Sequence, residues 1–347
     1  MMKKVLMITL MVALVGGVIP AISSQTLAGT IEIKFATQNP TTAWIHPQGY
    51  VPWAKKMEEA TKGRVKVTIY PAQTFGKGSE FYDLVRKGIA DMAFGMPAYT
   101  PGVFPLTETL SLPFLGFPSA AIAGRIQWEL YQKYSEYRAE YSKIHCLAVP
   151  STGPYFIATL KKPIRTLADV KGLKLRAPGG RPAATLKAAG AAPAMITIPD
   201  LYVALEKGVL DGSPIPWEGM LGYMPLKSIK YVNLDWGLWS IPFFVIMNKN
   251  KWASIPKQDQ DAIMSVWGGY GSEYFSKAVW DDSAKPSYEL IDKHGIKVIK
   301  ADPKEVEKWA KLAAPITKKY IAGLEKRGLP GQVFYDDTRR MIEKYKK

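Results

Sequence analysis

Two stretches decide how this chain is organised: "EFYDLVRKGIADMAF", residues 80–94, and "DLYVALEKGVLDGSP", residues 200–214. They lie 120 residues apart, and Tyr82, Lys87, Gly88 and Asp91 recur as Tyr202, Lys207, Gly208 and Asp211. Apolar positions recur at 81/201, 85/205 and 89/209. Each copy reads as a short helix closed by a glycine, which takes the left-handed conformation that ends helices. A new strand follows each aspartate. The flanks run in parallel too. "IEIKFAT", a helix from about Ile45 to Thr61 and "RVKVTIYP" give strand, helix, strand. "LKLRAP", a helix from about Arg181 to Ala189 and "APAMITI" give the same order. Two like units of alternating strands and helices predict two related α/β lobes.

Working outward, residues 1–28 ("MMKKVLMITLMVALVGGVIPAISSQTLA") carry a basic start at Lys3 and Lys4, an apolar core and small residues up to Ala28. This pattern predicts a secretory signal cleaved near Ala28, with Ala21 the second choice, rather than a membrane span. The remaining chain contains no other apolar run of spanning length, so no integral membrane segment is expected in the mature protein. Cys146 is the only cysteine, which excludes an internal disulfide and a multi-cysteine zinc site. Without Lys3 and Lys4 the chain has 44 basic and 30 acidic residues, a charge of +14. Such a surplus suits an anionic ligand or surface. The basic residues are scattered, and no nucleic-acid signature accompanies them, so nucleic acid is not an expected partner.

From Lys257 to about His294 the sequence reads as one long helical stretch, weakened at Gly268, Gly269 and Gly271 and kinked or broken by Pro286. At 1.5 Å per residue such a helix outreaches a small lobe and is expected to span both. A strand at "IKVIK" and helices from about Pro303 to Arg327 and Tyr335 to Tyr345 close the chain.

Enzymatic motifs are absent: no HExxH, GxSxG, phosphate-binding loop or dinucleotide fingerprint appears. His145 and Cys146 are strand neighbours and point to opposite faces, so they form no nucleophile–base pair. Cys146 reads as core. His46, before Pro47, is a weak pointer to a site. Arg176 is the stronger candidate. It stands at the carboxyl end of a strand, where open α/β sheets hold ligands, and is followed by "APGG" and a helix N-terminus. A guanidinium holds a carboxylate by two parallel hydrogen bonds; an internal ion pair is the structural alternative. Trp217, in the Pro-rich "DGSPIPWEG", is a candidate cleft residue, and Trp44, Tyr155 and Phe156 belong to the same set of loop and strand-end aromatics.

The stretches "VKVTIYPAQTFGKG" (65–78), "LVRKGIADMAFG" (84–95), "YTPGVFPLTETLSLPFLG" (99–116), "LADVKGLKLRAPGG" (167–180) and "LYVALEKGVLDG" (201–212) resemble, in order, those of the DctP-type solute-binding proteins of tripartite ATP-independent periplasmic (TRAP) transporters. The resemblance implies a two-lobed α/β periplasmic binding protein fold, with a ligand cleft between the lobes and a long helix spanning both. The expected division is residues 29–152 with 241–280 as one lobe, 153–240 with 281–330 as the other, and 331–347 as a C-terminal helix. It further implies a periplasmic location, an organic-acid ligand, delivery to the membrane permease subunits of a TRAP transporter driven by an ion gradient, and no enzymatic activity or cofactor.

The family's carboxylate-binding arginine falls at Arg176. A second arginine of several organic-acid members falls near Phe156, and a glutamate of sialic-acid members falls at Met96. Gln38 stands where an N-terminal polar contact is expected. The Glu-Trp pair of metal-assisted members falls on Pro214 and Ile215, so no metal site is expected. One charged anchor thus remains among positions turned apolar or aromatic. An unpaired buried charge is costly, so Arg176 calls for an anion while its surroundings favour apolar surface. The expected ligand is a monocarboxylate with an aromatic or apolar body. A dicarboxylate or sugar acid is the alternative within the family; a secreted hydrolase using Glu218 and Asp211, or a binder of anionic lipid or nucleic acid, is the alternative outside it.

Overall fold

The computed structural model describes residues 29–346, so the predicted export signal lies outside the described residues. Among the described residues eleven strands form two sheets. The strands are β1 (Ile31–Ala36), β2 (Val65–Tyr70), β3 (Met92–Gly95), β4 (His145–Ala148), β5 (Phe156–Thr159), β6 (Lys174–Ala177), β7 (Ala192–Met195), β8 (Gly212–Ile215), β9 (Tyr231–Leu234), β10 (Phe244–Met247) and β11 (Lys297–Lys300). The first sheet runs β2-β1-β3-β10-β4, and the second, from its other edge, β7-β6-β8-β5-β9-β11. In each, a repeat unit supplies three parallel strands. A fourth, antiparallel strand comes from the other half of the chain: β10 beside β3, and β5 beside β8. That exchange forces the chain to cross between lobes after β4 and again before β10.

The repeated residues explain themselves locally. Gly88 (φ +75°) and Gly208 (φ +66°) sit in left-handed conformations that end their helices. Ile89 and Val209 then donate back to the carbonyls of Leu84 and Ala204, both at 2.9 Å. The aspartates clamp strands. The Asp91 carboxylate accepts the Lys34 amide at 2.8 Å while the Asp91 amide donates to the Lys34 carbonyl at 3.1 Å. Asp211 makes the same pair of bonds with Lys174, both at 2.8 Å. Asp211 therefore ties β6 to the start of β8, which accounts for it without any acid–base role.

The first sheet is covered on both faces. Phe35, Met92, Phe94, Leu147, Val245 and Met247 point into the core shared with the second lobe. Their neighbours Ala36, Ala93, Cys146, Phe244 and Ile246 point into a separate core under the outer helices. This is the alternation expected of a strand buried on both sides. Cys146 is core, and His145 lies on the opposite face, stacked on Trp252 at 3.9 Å.

The predicted long helix is present in pieces: Lys257–Val266, Gly268–Ser276, a π-turn Lys277–Asp281, and Ala284–Lys293. The first break falls at Trp267 and Gly268, the latter at φ +45°. Pro286 lies inside the last piece, and the irregular turn falls just before it. A proline lacks the amide that would bond the carbonyl four residues back, here that of Asp282. The final helix begins at Gly331 rather than Tyr335. The preceding helix, Pro303–Glu325, reaches across the molecule: its Trp309 belongs to the shared core and its Leu324 to the first lobe's outer core.

The two crossings lie side by side. Thr152 donates its amide to the Ile241 carbonyl at 3.0 Å and accepts the Ile241 amide on its hydroxyl at 2.8 Å. Tyr155 donates to the Trp239 carbonyl at 3.1 Å, and Phe243 to that of Pro150 at 2.7 Å. Two paired strands of this kind are the short linker at which lobes of such folds hinge. Among the described residues no helix is long and apolar enough to cross a membrane.

Candidate functional site

Strand β6 delivers Arg176 to the cleft at its carboxyl end. The side chain is 2% exposed. Its Nε donates to the Ile196 carbonyl at 2.8 Å, which fixes the plane of the guanidinium. Nη1 is buried and has no partner among the described residues. A cation in such a place needs an acceptor that the chain does not supply.

The cavity it lines draws on both lobes. The polar side is formed by Gln38, Asn39, Tyr99, Thr152, Tyr155, Glu218 and Tyr223. The apolar side is formed by Ile45, Phe94, Met96, Ile198, Phe243 and Trp280. Phe94, Phe243 and Trp280 form one aromatic wall, with Phe94 stacked on Phe243 at 4.9 Å and Phe243 on Trp280 at 5.1 Å. Beside this wall, Tyr50 lies edge-on to Phe94 at 5.3 Å and donates to Asn39 Oδ1 at 2.6 Å, and Asn39 Nδ2 donates to the Tyr223 hydroxyl. This chain joins the lobes across the cleft. Glu218 is 6% exposed; its backbone carbonyl accepts the Leu221 amide at 3.0 Å, while its carboxyl has no hydrogen-bond partner among the described residues. Burial pushes its carboxyl up to about 8, against the pull of the Arg176 guanidinium. Burial also holds the Tyr155 phenol above its ordinary range.

The volume open to a water-sized sphere is about 30 Å³, room for roughly two waters at ~10–15 Å³ each. The lobes are therefore drawn together. Gly179 permits this: a Cβ there would come within 2.8 Å of Ala98 across the cleft. The helix that follows, Gly180–Ala188, contributes no residue to the lining of Arg176's cavity. Its first residues face Glu108 and Ser111 of the other lobe, and Arg181 Nε lies 3.9 Å from Glu108 Oε2. Arg181 also covers the ring of Tyr320 at 4.3 Å.

Of the predicted site residues, Arg176, Met96, Gln38 and Tyr155 meet in this cavity. Phe156 and Trp217 do not. They line a larger neighbouring cavity of about 760 Å³, where Phe156 lies 4.3 Å from Trp217 and Trp217 lies 4.6 Å from Tyr288. Tyr155, Pro216 and Trp280 line both cavities, so the two adjoin. Trp44 lines neither cavity; its indole N–H donates to the Val279 carbonyl at 3.0 Å and ties the first lobe to the π-turn. His46 also lies outside both, edge-on to Tyr50 at 6.2 Å. Sequence reasoning passed over Asn39, Phe243 and Trp280. Asn39 carries no local signal beyond the following proline, and the two aromatics come from the late half of the chain. Among the described residues no group of three or more His, Cys, Asp or Glu is placed to hold a metal ion.

Two α/β lobes, a paired-strand hinge and a buried arginine in the cleft define a hinged binding protein for small anions. Comparison with known proteins places it further: the profile of bacterial extracellular solute-binding protein family 7, DctP, matches residues 35–323, and the chain belongs to that family of TRAP solute-binding proteins. It is 27% identical to the outer membrane transporter protein TsaT of Comamonas testosteroni, over 91% of this chain and 92% of that one. A marine metagenome TRAP solute-binding protein specific for aromatic acid ligands, solved with 3-hydroxybenzoate, has a TM-score of 0.86 at 28% identity, covering 92% of this chain and 100% of that one. A Bordetella bronchiseptica TRAP periplasmic solute-binding protein, solved with (R)- and (S)-mandelate, has a TM-score of 0.84 at 28% identity, covering 91% and 99%.

Proposed function

We propose that this chain captures an aromatic monocarboxylate in the periplasm and hands it to the permease subunits of a TRAP transporter, without chemistry on the ligand. The observation that carries this reading is the unpartnered Nη1 of Arg176, facing a cavity whose other wall is the Phe94–Phe243–Trp280 stack. The carboxylate takes the open guanidinium edge, and Tyr155 and Gln38 line the same end. The ring lies against the aromatic wall, where offset stacking adds about 0.5–1.5 kcal/mol beyond area burial. A dicarboxylate fits poorly, because the described lining holds no second cation. An aromatic acid exceeds the present cavity, so entry requires the lobes to part at the hinge and Met96 to repack, which its unbranched chain allows. Resemblance to proteins solved with 3-hydroxybenzoate and mandelate supports the same ligand class. With Asp211 committed to its strand clamp, the acid–base pair that a hydrolase would need is missing one member.

The test is calorimetry with benzoate, 3-hydroxybenzoate, mandelate, succinate and glucuronate on protein freed of co-purified ligand. Tight binding confined to the aromatic monocarboxylates is the expected result. Preference for succinate or glucuronate would overturn the ligand class, and turnover of aromatic esters would overturn the non-enzymatic reading.

A further inference from the structure

The reading above uses Arg176 and the aromatic wall and leaves one buried ionisable group unused. Glu218 sits on the short helix Trp217–Met220 and lines the same cavity, and its carboxyl receives no hydrogen bond from the described residues. Counting charge makes its state matter. The cavity holds one guanidinium and one carboxyl group. An ionised Glu218 would neutralise Arg176, and an arriving carboxylate would leave the sealed site with a net negative charge. Two carboxylates in one low-dielectric site repel, and a single cation offsets only one of them, which favours the neutral form of the other.

The other groups near Glu218 supply no compensating charge. Among the described residues Arg176 from β6 is the one cation facing it. Tyr155, Tyr223 and Tyr50 stand near it, and burial keeps all three phenols above their ordinary range. The π-turn and the helix Ala284–Lys293 pack on this segment but spend their charges elsewhere. Lys277 pairs with Asp282, and Asp281 accepts the amides of Ala120 and Ala121. Lys285, Glu289, Asp292 and Lys293 are exposed, and Tyr288 lies against Trp217.

We propose that Glu218 is the site's second ligand contact and enters the complex as a neutral carboxylic acid, donating its proton in a hydrogen bond to the captured anion, so that the pocket selects singly charged acids that carry no ammonium group. The inference rests on the carboxylate reading of the cavity. Its proton balance is simple. At a pH where free Glu218 is ionised, binding draws one proton from solution onto its carboxyl oxygen, and no bond of the ligand changes. An ionised Glu218 would instead favour an amino acid, its ammonium on Glu218 and its carboxylate on Arg176.

Calorimetry at pH 6.5, 8 and 9, in paired buffers of different ionisation enthalpy, measures the protons taken up. Benzoate, mandelate and phenylglycine serve as probes on the wild type, Glu218→Gln and Arg176→Ala. Uptake by the wild type with benzoate should rise from near zero at pH 6.5 towards one at pH 9, and affinity should fall by up to tenfold per pH unit above the free-protein midpoint. Glu218→Gln, which keeps a hydrogen-bond donor but does not titrate, should show neither proton uptake nor pH dependence of affinity across the three pH values. A wild type with no uptake at pH 9 and flat affinity overturns the role of Glu218, while loss of benzoate binding in Arg176→Ala leaves the carboxylate reading standing. Phenylglycine binding better than mandelate, with the preference lost in Glu218→Gln, overturns it in favour of an ionised Glu218. Failure of the wild type to bind either aromatic acid overturns both readings. The wild-type uptake decides the matter even if the glutamine variant folds poorly.

Discussion

Replacing Arg176 by alanine separates a ligand anchor from a structural ion pair. In the folded protein the guanidinium is 2% exposed, spends Nε on the Ile196 carbonyl, and leaves Nη1 without a partner. Its removal costs the fold one hydrogen bond, about 0.5–1.5 kcal/mol, but also removes a buried and poorly compensated charge, which is itself unfavourable. The two terms oppose, so the melting temperature of ligand-free protein should change little. Binding behaves differently. A ligand carboxylate desolvated against an alanine loses its partner, and truncating a buried charged pair costs about 2–5 kcal/mol. At about 1.4 kcal/mol per tenfold, affinity for benzoate should fall roughly thirty- to several-thousand-fold. Arg176→Lys keeps the charge without the planar fork and should recover only part of the loss. The assay is titration calorimetry with benzoate and mandelate, beside thermal melts of the same ligand-free samples. If Arg176→Ala binds these acids as tightly as the parent and melts well below it, the arginine is structural and the reasoning fails.

Phe243→Ala removes the middle of the aromatic wall and should weaken benzoate by about tenfold or more, whereas Phe156→Ala, in the neighbouring cavity, should leave it within a few-fold; equal losses in calorimetry would show that the ring sits elsewhere. Arg181→Ala breaks the contact with Glu108 across the cleft and should raise the ligand-free radius of gyration in small-angle scattering, with compaction restored by ligand; an unchanged radius would show that this contact does not hold the lobes together. Gly124→Ala places a Cβ 1.9 Å from the Ser272 carbonyl oxygen, where two helices meet, and should destabilise by about 1–3 kcal/mol in urea unfolding; a neutral effect would mean the helices separate freely. Because the folded chain holds the Glu218 proton up to about 8 while the unfolded chain releases it near the ordinary carboxyl range, the folded state binds more protons between those limits and Glu218 lowers stability as pH rises through them. Glu218→Gln should therefore melt progressively higher than the wild type from pH 5 to 8; a constant difference across that range would contradict the assignment.

The repeat at an offset of 120 residues told of two lobes because its residues are local devices. A glycine that ends a helix and an aspartate that clamps the next strand act within their own unit, so the sequence around them carries their meaning. Arg176 was legible for the same reason, since its place at a strand end follows from the order strand, turn, helix. The partners that make a site of it were not. Asn39 and Tyr223 meet from 184 residues apart, and Phe94 meets Phe243 and Trp280 only because β10 crosses back to lie beside β3. Adjacency in sequence was a poor guide too: Tyr155 lines both cavities, whereas Phe156 beside it reaches only the larger one. Likewise the glycines of "APGG" read as a cradle for an anion, while Gly179 instead makes room for Ala98 of the opposite lobe. Local chemistry is written in consecutive residues; which surfaces face each other is set by strand exchange and lobe closure, and these depend on contacts that no short stretch contains.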